Sequence, residues 1–184
     1  MVSYIHSKGI LHRDIKVGNF LINPKSYKIH LVDFGVSTCW NTPNKISVIL
    51  GNPEYYAPEV LFNEGNFENP SDVWAVGVVI YRLWYKKFPF GEGNAQKVRD
   101  NIKKLEYMRL GKDCPFKAMV ESIFVLNPKL RPSAQALLEQ GLFFDIDGGN
   151  VETHSRKRKR IVGNLGKQIT KTPFTKMFSL ARKS

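Results

Sequence analysis

Cysteine is nearly absent. Cys39 and Cys114 stand far apart in a chain of 184 residues, which excludes a disulfide framework and a metal cluster built on neighbouring cysteines. Both read as reduced thiols of an intracellular protein. Long apolar runs are missing too. No stretch approaches the roughly 20 apolar residues that a membrane helix needs, and no signal-peptide pattern follows Met1. No membrane partner is therefore expected. Acidic residues are scarce, with 16 Asp and Glu against 28 Lys and Arg, a net charge of +12. That charge is uneven. Residues 145–184 carry ten basic and three acidic side chains, so +7 lies there and +5 over the first 144 positions. From Val151 to Ser184 apolar residues are few and show no period, so disorder is expected. The chain as a whole is 42% apolar and 24% charged, as ordinary soluble globular proteins are. One domain with a core over 1–144, followed by a basic tail over 145–184, is the organisation these numbers suggest.

The chemistry is concentrated between Leu11 and Gly35, in LHRDIKVGNFLINPKSYKIHLVDFG. Phe20-Leu21-Ile22 and Ile29-His30-Leu31-Val32 are short apolar runs around Asn23-Pro24-Lys25-Ser26. They predict a hairpin with Asn19 at its entrance and Asp33 at its exit. Phosphoryl transfer from ATP needs an Asp to accept the hydroxyl proton and orient the nucleophile, and a Lys on the migrating phosphate. It also needs an Asn and a second Asp to hold magnesium against the phosphate oxygens. Asp14, Lys16, Asn19 and Asp33 supply those groups.

His12-Arg13-Asp14, Lys16, Asn19, Asp33-Phe34-Gly35 and Ala57-Pro58-Glu59, in that order, resemble the C-terminal lobe of eukaryotic protein kinases. This is a match to a familiar template of phosphoryl transfer, not a new arrangement. The resemblance runs from Met1 to about Phe144. It implies an α+β fold, mainly helical, with a short β-hairpin at the catalytic site. It also implies ATP and Mg2+ as cofactors and a protein substrate. Lys16, two residues after Asp14, is the serine/threonine form. By the resemblance Asp14 is the base and orienter, Lys16 stabilises the transferred phosphoryl group, and Asn19 and Asp33 ligate the metal. Leu21 would form the floor beneath adenine, with a plain core leucine as the alternative. His12 and Phe34 would be stacked core side chains that lock the two loops together. Arg13 would supply a cation for a phosphorylated loop residue.

The remaining elements read on the same footing. Met1 to Gly9 predicts the last turns of a helix capped by Gly9. No Gly-rich phosphate loop, strand Lys or partner Glu is found, so a C-terminal lobe alone is expected, with slow turnover in isolation. Ser37 to Ser47 is polar and predicts a surface loop, within a segment that resembles the activation segment. Gly51-Asn52-Pro53-Glu54-Tyr55-Tyr56 resembles the substrate-binding loop. Asn52 stands where most serine/threonine kinases have Thr, and its amide is expected to reach toward Asp14 and Lys16. The usual phosphorylated Thr falls near Val48, which has no hydroxyl; Ser47 is the nearest candidate. Ser71 to Trp84 is apolar on nearly every face and predicts a buried central helix. Asp72 near its start must find donors, which the resemblance identifies as the backbone amides of the His12-Arg13 turn. Asn94–Leu105 and Phe116–Leu126 predict further helices, and Ser133 an N-cap for a last one that reaches Gln140 and ends at Gly141. Arg131 pairs with Glu59 if the resemblance holds.

Arg156-Lys157-Arg158-Lys159-Arg160 reads three ways: a nuclear import signal, a nucleic-acid patch, or a solvated tail. No aromatics interleave it, which weakens the single-strand binding reading. Two functions compete with the kinase: a catalytically inactive lobe that acts as a binding or decoy module, and a basic nuclear nucleic-acid binder resting on the tail. Against decay, the four catalytic and metal positions are intact. An activating protein subunit is a further partner to consider. Asn19-Phe20-Leu21 and Leu31-Val32-Asp33, with an intact Ala57-Pro58-Glu59, resemble the replication-initiating cell-division-cycle kinases. The stretch from Asn127 to Ser133 is equally compatible with polo-like kinases.

Overall fold

A computed structural model describes residues 1–26, 28–40, 52–62 and 67–140. The expectations placed on Ser47, Val48 and Gly51, on Gly141 and on the tail 145–184 lie outside them. The architecture mixes helices with short strands, consistent with α+β. No helix among the described residues is long and apolar enough to cross a membrane.

Helix α1 (Val2–Ser7) stops where glycine permits a left-handed turn. Gly9 has φ +75°, and its N–H donates to the His6 carbonyl at 3.0 Å. Strand β1 (Ile10–Leu11) follows. The hairpin then forms from β2 (Phe20–Ile22) and β3 (Ile29–Leu31), antiparallel, with Phe20 opposite Leu31 and Ile22 opposite Ile29. Asn23 shapes its turn: its Oδ1 accepts from the N–H groups of Lys25 and Ser26 at 2.9 and 3.1 Å, an Asx turn. Strand β4 (Thr38–Cys39) returns to β1, with Leu11 opposite Thr38. The sequence reading did not foresee this pairing, because two-residue strands carry no period to detect. It clamps together the two ends of the stretch that carries the chemistry.

Helix α2 (Pro58–Phe62) precedes the long helix α3 (Asn69–Tyr85). The latter starts two residues before the expected Ser71. Pro70 is at home in a first turn, where no N–H bond is required, and Ser71 Oγ accepts from the Glu68 N–H at 3.1 Å in a capping box. It ends on Lys86 at φ 59°. The helix is the pillar its composition demanded, with Val73, Trp74, Val78 and Tyr81 exposed by 1% or less. Helix α4 (Ala95–Lys104) is N-capped by Asn94, whose Oδ1 accepts from the Lys97 N–H at 2.9 Å. Helix α5 (Lys117–Ile123) is shorter than the expected Phe116–Leu126. The chain leaves it at Phe124, whose ring turns into the core 5.0 Å from Trp74. Helix α6 (Ala134–Glu139) starts on the Ser133 cap, which accepts from the Ala136 N–H at 3.0 Å.

The core is aromatic at its centre. Trp74 stacks on Phe90 at 5.3 Å, and Phe124 lies 5.1 Å from Phe90. Gly77 lets α5 come this close to α3. A Cβ placed there would meet Ile123 Cγ2 at 2.7 Å and Phe124 Cε1 at 3.0 Å. Gly77→Ala should therefore destabilise the fold. It gains about 1 kcal/mol of helix propensity but loses about 1–3 kcal/mol to overpacking. Thermal melts should show a lower midpoint, by roughly 2–4 °C for each net kcal/mol. A higher midpoint would mean that the two helices do not touch there.

Candidate active site

The site is anchored from below by α3. Asp72 is 2% exposed. Its Oδ1 accepts from the Arg13 N–H at 2.9 Å, and its Oδ2 accepts from the His12 N–H at 2.8 Å and lies 3.0 Å from His6 Nε2. These donors answer the cost of burying a carboxylate. The turn that aims both amides at one side chain puts Arg13 at φ 66°, a strain of order 1–3 kcal/mol for a non-glycine residue. Charge-assisted hydrogen bonds offset it.

His12 links the two loops. Its Nε2 donates to the Val32 carbonyl at 3.2 Å, which leaves Nδ1 to accept from the Asp14 N–H at 3.4 Å. One tautomer satisfies both contacts. The ring meets Phe34 edge-on, with centroids 4.7 Å apart at 61°. The expected stacked core pair is corrected on two points. The contact is edge-to-face, and only His12 is buried, Phe34 being 45% exposed. The physical reason is position: Phe34 stands on the loop after β3 with one face open.

Asp14 sits at the centre. Lys16 Nζ donates to its Oδ2 at 2.7 Å, and Asn19 Nδ2 donates to the same oxygen at 3.0 Å and to the Asp14 carbonyl at 2.8 Å. Asp14 Oδ1 accepts nothing among the described residues. The hydrogen bond to Asp14, opposed by desolvation and helped by the Asp14 and Asp33 charges, holds the Lys16 ammonium above its usual pKa. Arg13 behaves oppositely: burial holds its guanidinium below the usual value, with Asp72 working against that. Arg13 Nε donates to the Val36 carbonyl.

The hairpin delivers the second acid. The Asn19 carbonyl accepts from the Val32 N–H at 2.9 Å, tying the entrance to the exit. Asp33 follows at φ 67°, and its Oδ1 accepts from the Gly35 N–H at 3.4 Å. Aspartate tolerates that left-handed backbone better than most residues. Leu21 is 54% exposed, so it is not the core leucine of the alternative reading. Asn52 lines a cavity of about 10 Å³ with Asp14, Lys16, Tyr55 and Asp72, room for about one water. The expected hydrogen bond from its side chain to Asp14 or Lys16 is not formed.

Asn19 Oδ1 takes no hydrogen bond among the described residues, and Asp33 adds a carboxylate. Among those residues no group of three or more His, Cys, Asp and Glu side chains gathers into a cage. Asn19 Oδ1 and the Asp33 carboxylate are hard oxygen donors, the kind that Mg2+ takes. The residues fit the metal.

Glu59 and Arg131 hold the site from the side. Arg131 Nη1 and Nη2 donate to Glu59 Oε1 and Oε2 at 2.8 and 3.1 Å, and also to the Pro70 and Val125 carbonyls at 2.6 and 3.0 Å. Ser71 Oγ donates to Glu59 Oε1 at 2.9 Å, and the guanidinium lies 5.0 Å from the Trp74 ring. Both charges are buried. Two residues were missed in the sequence: His6 and Arg82. Only Arg82 carried a signal, as the one charge in α3 after Asp72.

The family model described as "Protein kinase domain" matches residues 1–143. The chain is 31% identical over 161 residues to the probable serine/threonine-protein kinase HSL1 of Saccharomyces cerevisiae, covering 86% of this chain and 10% of that protein. It is 34% identical over 147 residues to the probable serine/threonine-protein kinase PLK of Dictyostelium discoideum, covering 77% of this chain and 15% of that protein. It is 35% identical over 141 residues to the serine/threonine-protein kinase kin-29 of Caenorhabditis briggsae, covering 74% of this chain and 17% of that protein. The chain thus spans less than a quarter of the length of these relatives.

Two stability experiments follow from the buried charges. Asp72→Ala should cost about 2–4 kcal/mol, since it leaves the amides of His12 and Arg13 without an acceptor. Urea melts measure it, and an unchanged midpoint would show the acid to be dispensable. A double-mutant cycle on Glu59 and Arg131 should give a coupling above roughly 1 kcal/mol, more than exposed pairs return. Additive losses would mean that the fork does not form in solution.

Proposed function

The chain belongs to the protein kinase domain family, and from that premise we propose that it transfers the γ-phosphate of ATP to Ser or Thr hydroxyls of a protein substrate. The serine/threonine class is supported by the relatives and by Lys16. One observation carries the reaction: the Asp14 carboxylate, with Oδ2 held by Lys16 and Asn19 and Oδ1 left open. An open carboxylate oxygen can accept the substrate hydroxyl and take its proton as the new O–P bond forms. The γ-phosphoryl group leaves ADP in the same step. General-base help of this kind is worth roughly 10²–10⁴-fold, and positioning and charge stabilisation carry more of the barrier.

The other residues divide the work. Lys16 can swing from Asp14 to the migrating phosphoryl group, where its ammonium would stabilise the negative charge. Asn19 Oδ1 and Asp33 would hold Mg2+, which when bound would supply positive charge against the phosphate. Leu21 offers the apolar surface on which adenine would rest. Arg13 and the amides on Asp72 keep the loop in place. A role in cell-cycle control or replication, and nuclear import through Arg156–Arg160, extend the same proposal; the motif around Asn19 and the basic run support them. An activating subunit belongs to it as well.

Labelled-phosphate transfer by the full chain, with Mg-ATP and a Ser-rich protein, tests this. Asp14→Asn should lower turnover by about 10²-fold or more, while nucleotide binding persists. Undiminished turnover in the variant would remove Asp14 from the chemistry. No transfer by the wild type even when joined to a kinase N-terminal lobe would favour the binding-module reading.

A further inference from the structure

A hollow of about 200 Å³ opens between α2, α4 and the connection from α5 to α6, and it shares no residue with the cavity beside Asp14. Its walls are Pro58, Glu59 and Phe62 of α2, Lys103 of α4, and Leu126 and Pro128 of the connection. Phe62 is 44% exposed and Leu126 43%. Single exposed apolar side chains are ordinary, but these two open into one hollow. Glu59 adds no free charge there, since both its oxygens are taken by Arg131 and Ser71. Lys103 is exposed and has no carboxylate partner among the described residues. Neither has Arg99, one turn earlier on the same face of α4.

The three walls are tied to one another. Arg131 grips Glu59 and also donates to the Val125 carbonyl at 3.0 Å, next to Leu126. Arg99 Nη1 donates to the Leu61 carbonyl at 3.2 Å and so holds α4 to α2. Asn127 Oδ1 accepts from the Lys129 N–H at 3.0 Å, which fixes the turn at Pro128. A partner that meets walls already in place loses little affinity to ordering them. Size and charge then narrow the occupant. Small-molecule sites run to roughly 300–1,000 Å³; this hollow is smaller and suits one large apolar side chain as an anchor. Lys103 on its rim favours an anion beside that anchor. A nucleic acid brings the anion without the apolar side chain, whereas a protein segment brings both.

We propose that this groove docks a protein partner through a segment with one Phe or Leu anchor flanked by Asp or Glu. The anchor sits between Phe62 and Leu126, and an acid of the segment pairs with Lys103. This role lies outside the catalytic site and does not depend on phosphoryl transfer. The competing account is structural: Lys103 only complements the negative end of α4, and the hollow holds nothing but solvent.

The experiment uses the full chain and labelled peptides that carry a central Phe flanked by Asp, by Ser or by Lys. A fourth peptide has Ala for the Phe of the Asp peptide. Fluorescence anisotropy gives the Kd for the wild type, Lys103→Glu and Leu126→Asp. Both positions are exposed, and thermal melts check the fold. The wild type should bind the Asp peptide about tenfold tighter than the Ser peptide, the scale of one charge-assisted pair. The Ala peptide should bind about tenfold weaker or worse, as loss of an anchor does. Lys103→Glu should turn the preference to the Lys peptide, and Leu126→Asp should weaken the Asp and Ser peptides about tenfold. A preference for Asp that survives in Lys103→Glu, as when the basic run at 156–160 captures the peptides, would overturn the proposal. So would equal binding of the Phe and Ala peptides, or no binding by any. Sedimentation of the chain alone tests a second copy as the occupant. Self-association that Leu126→Asp abolishes would replace the proposed partner with that copy.

Discussion

One buried carboxylate organises the site. Asp72 accepts from two backbone amides and lies against His6, near the start of a helix that is mostly apolar. Removing such a charge from water is unfavourable unless donors replace the lost hydration. The backbone of His12 and Arg13 supplies them only in a turn that forces Arg13 to positive φ. The loop that carries Asp14 is therefore held to the core by a mutual need. The acid requires the turn, and the strained turn requires the acid.

A second buried charge pair works on the neighbouring segment. Glu59 at the start of α2 and Arg131 after the 3-10 turn at Pro128–Leu130 meet across the base of α3, in a two-pronged contact. A buried ion pair contributes little net stability over a well-packed apolar one, but loss of one partner is costly. The value of this pair lies in position. It sets where α2 begins, and hence where the chain from Asn52 to Ala57 passes the catalytic loop.

Polar geometry at the surface then rests on buried geometry beneath. Lys16 and Asn19 share one oxygen of Asp14 and leave the other open. Arg82 shows the same logic at one remove. A core helix presents a cation, an aromatic ring fixes its plane, and a tyrosine hydroxyl ties it to the loop beside Lys16.

The sequence by itself determined the elements whose signal is local. The all-round apolar run of α3, the cap Ser133, the hairpin around Asn23 and the order of Asp14, Lys16, Asn19 and Asp33 were all legible there, because periodicity, capping and motif spacing act over a few residues. Element ends were less legible: α3 began at Asn69 and α5 stopped at Ile123, since packing of Phe124 against Trp74 overrides local preference. The tertiary structure alone decided which donors reach Asp72, with His6 among them. It also decided that β1 and β4 close the catalytic stretch, that Phe34 meets His12 edge-on from an exposed loop, and that Asn52 stays off Asp14. It brought Arg82 to Tyr55 across 27 positions of chain. These contacts join residues far apart in sequence. Their energies depend on distance and burial, which no local pattern encodes and only the folded chain supplies.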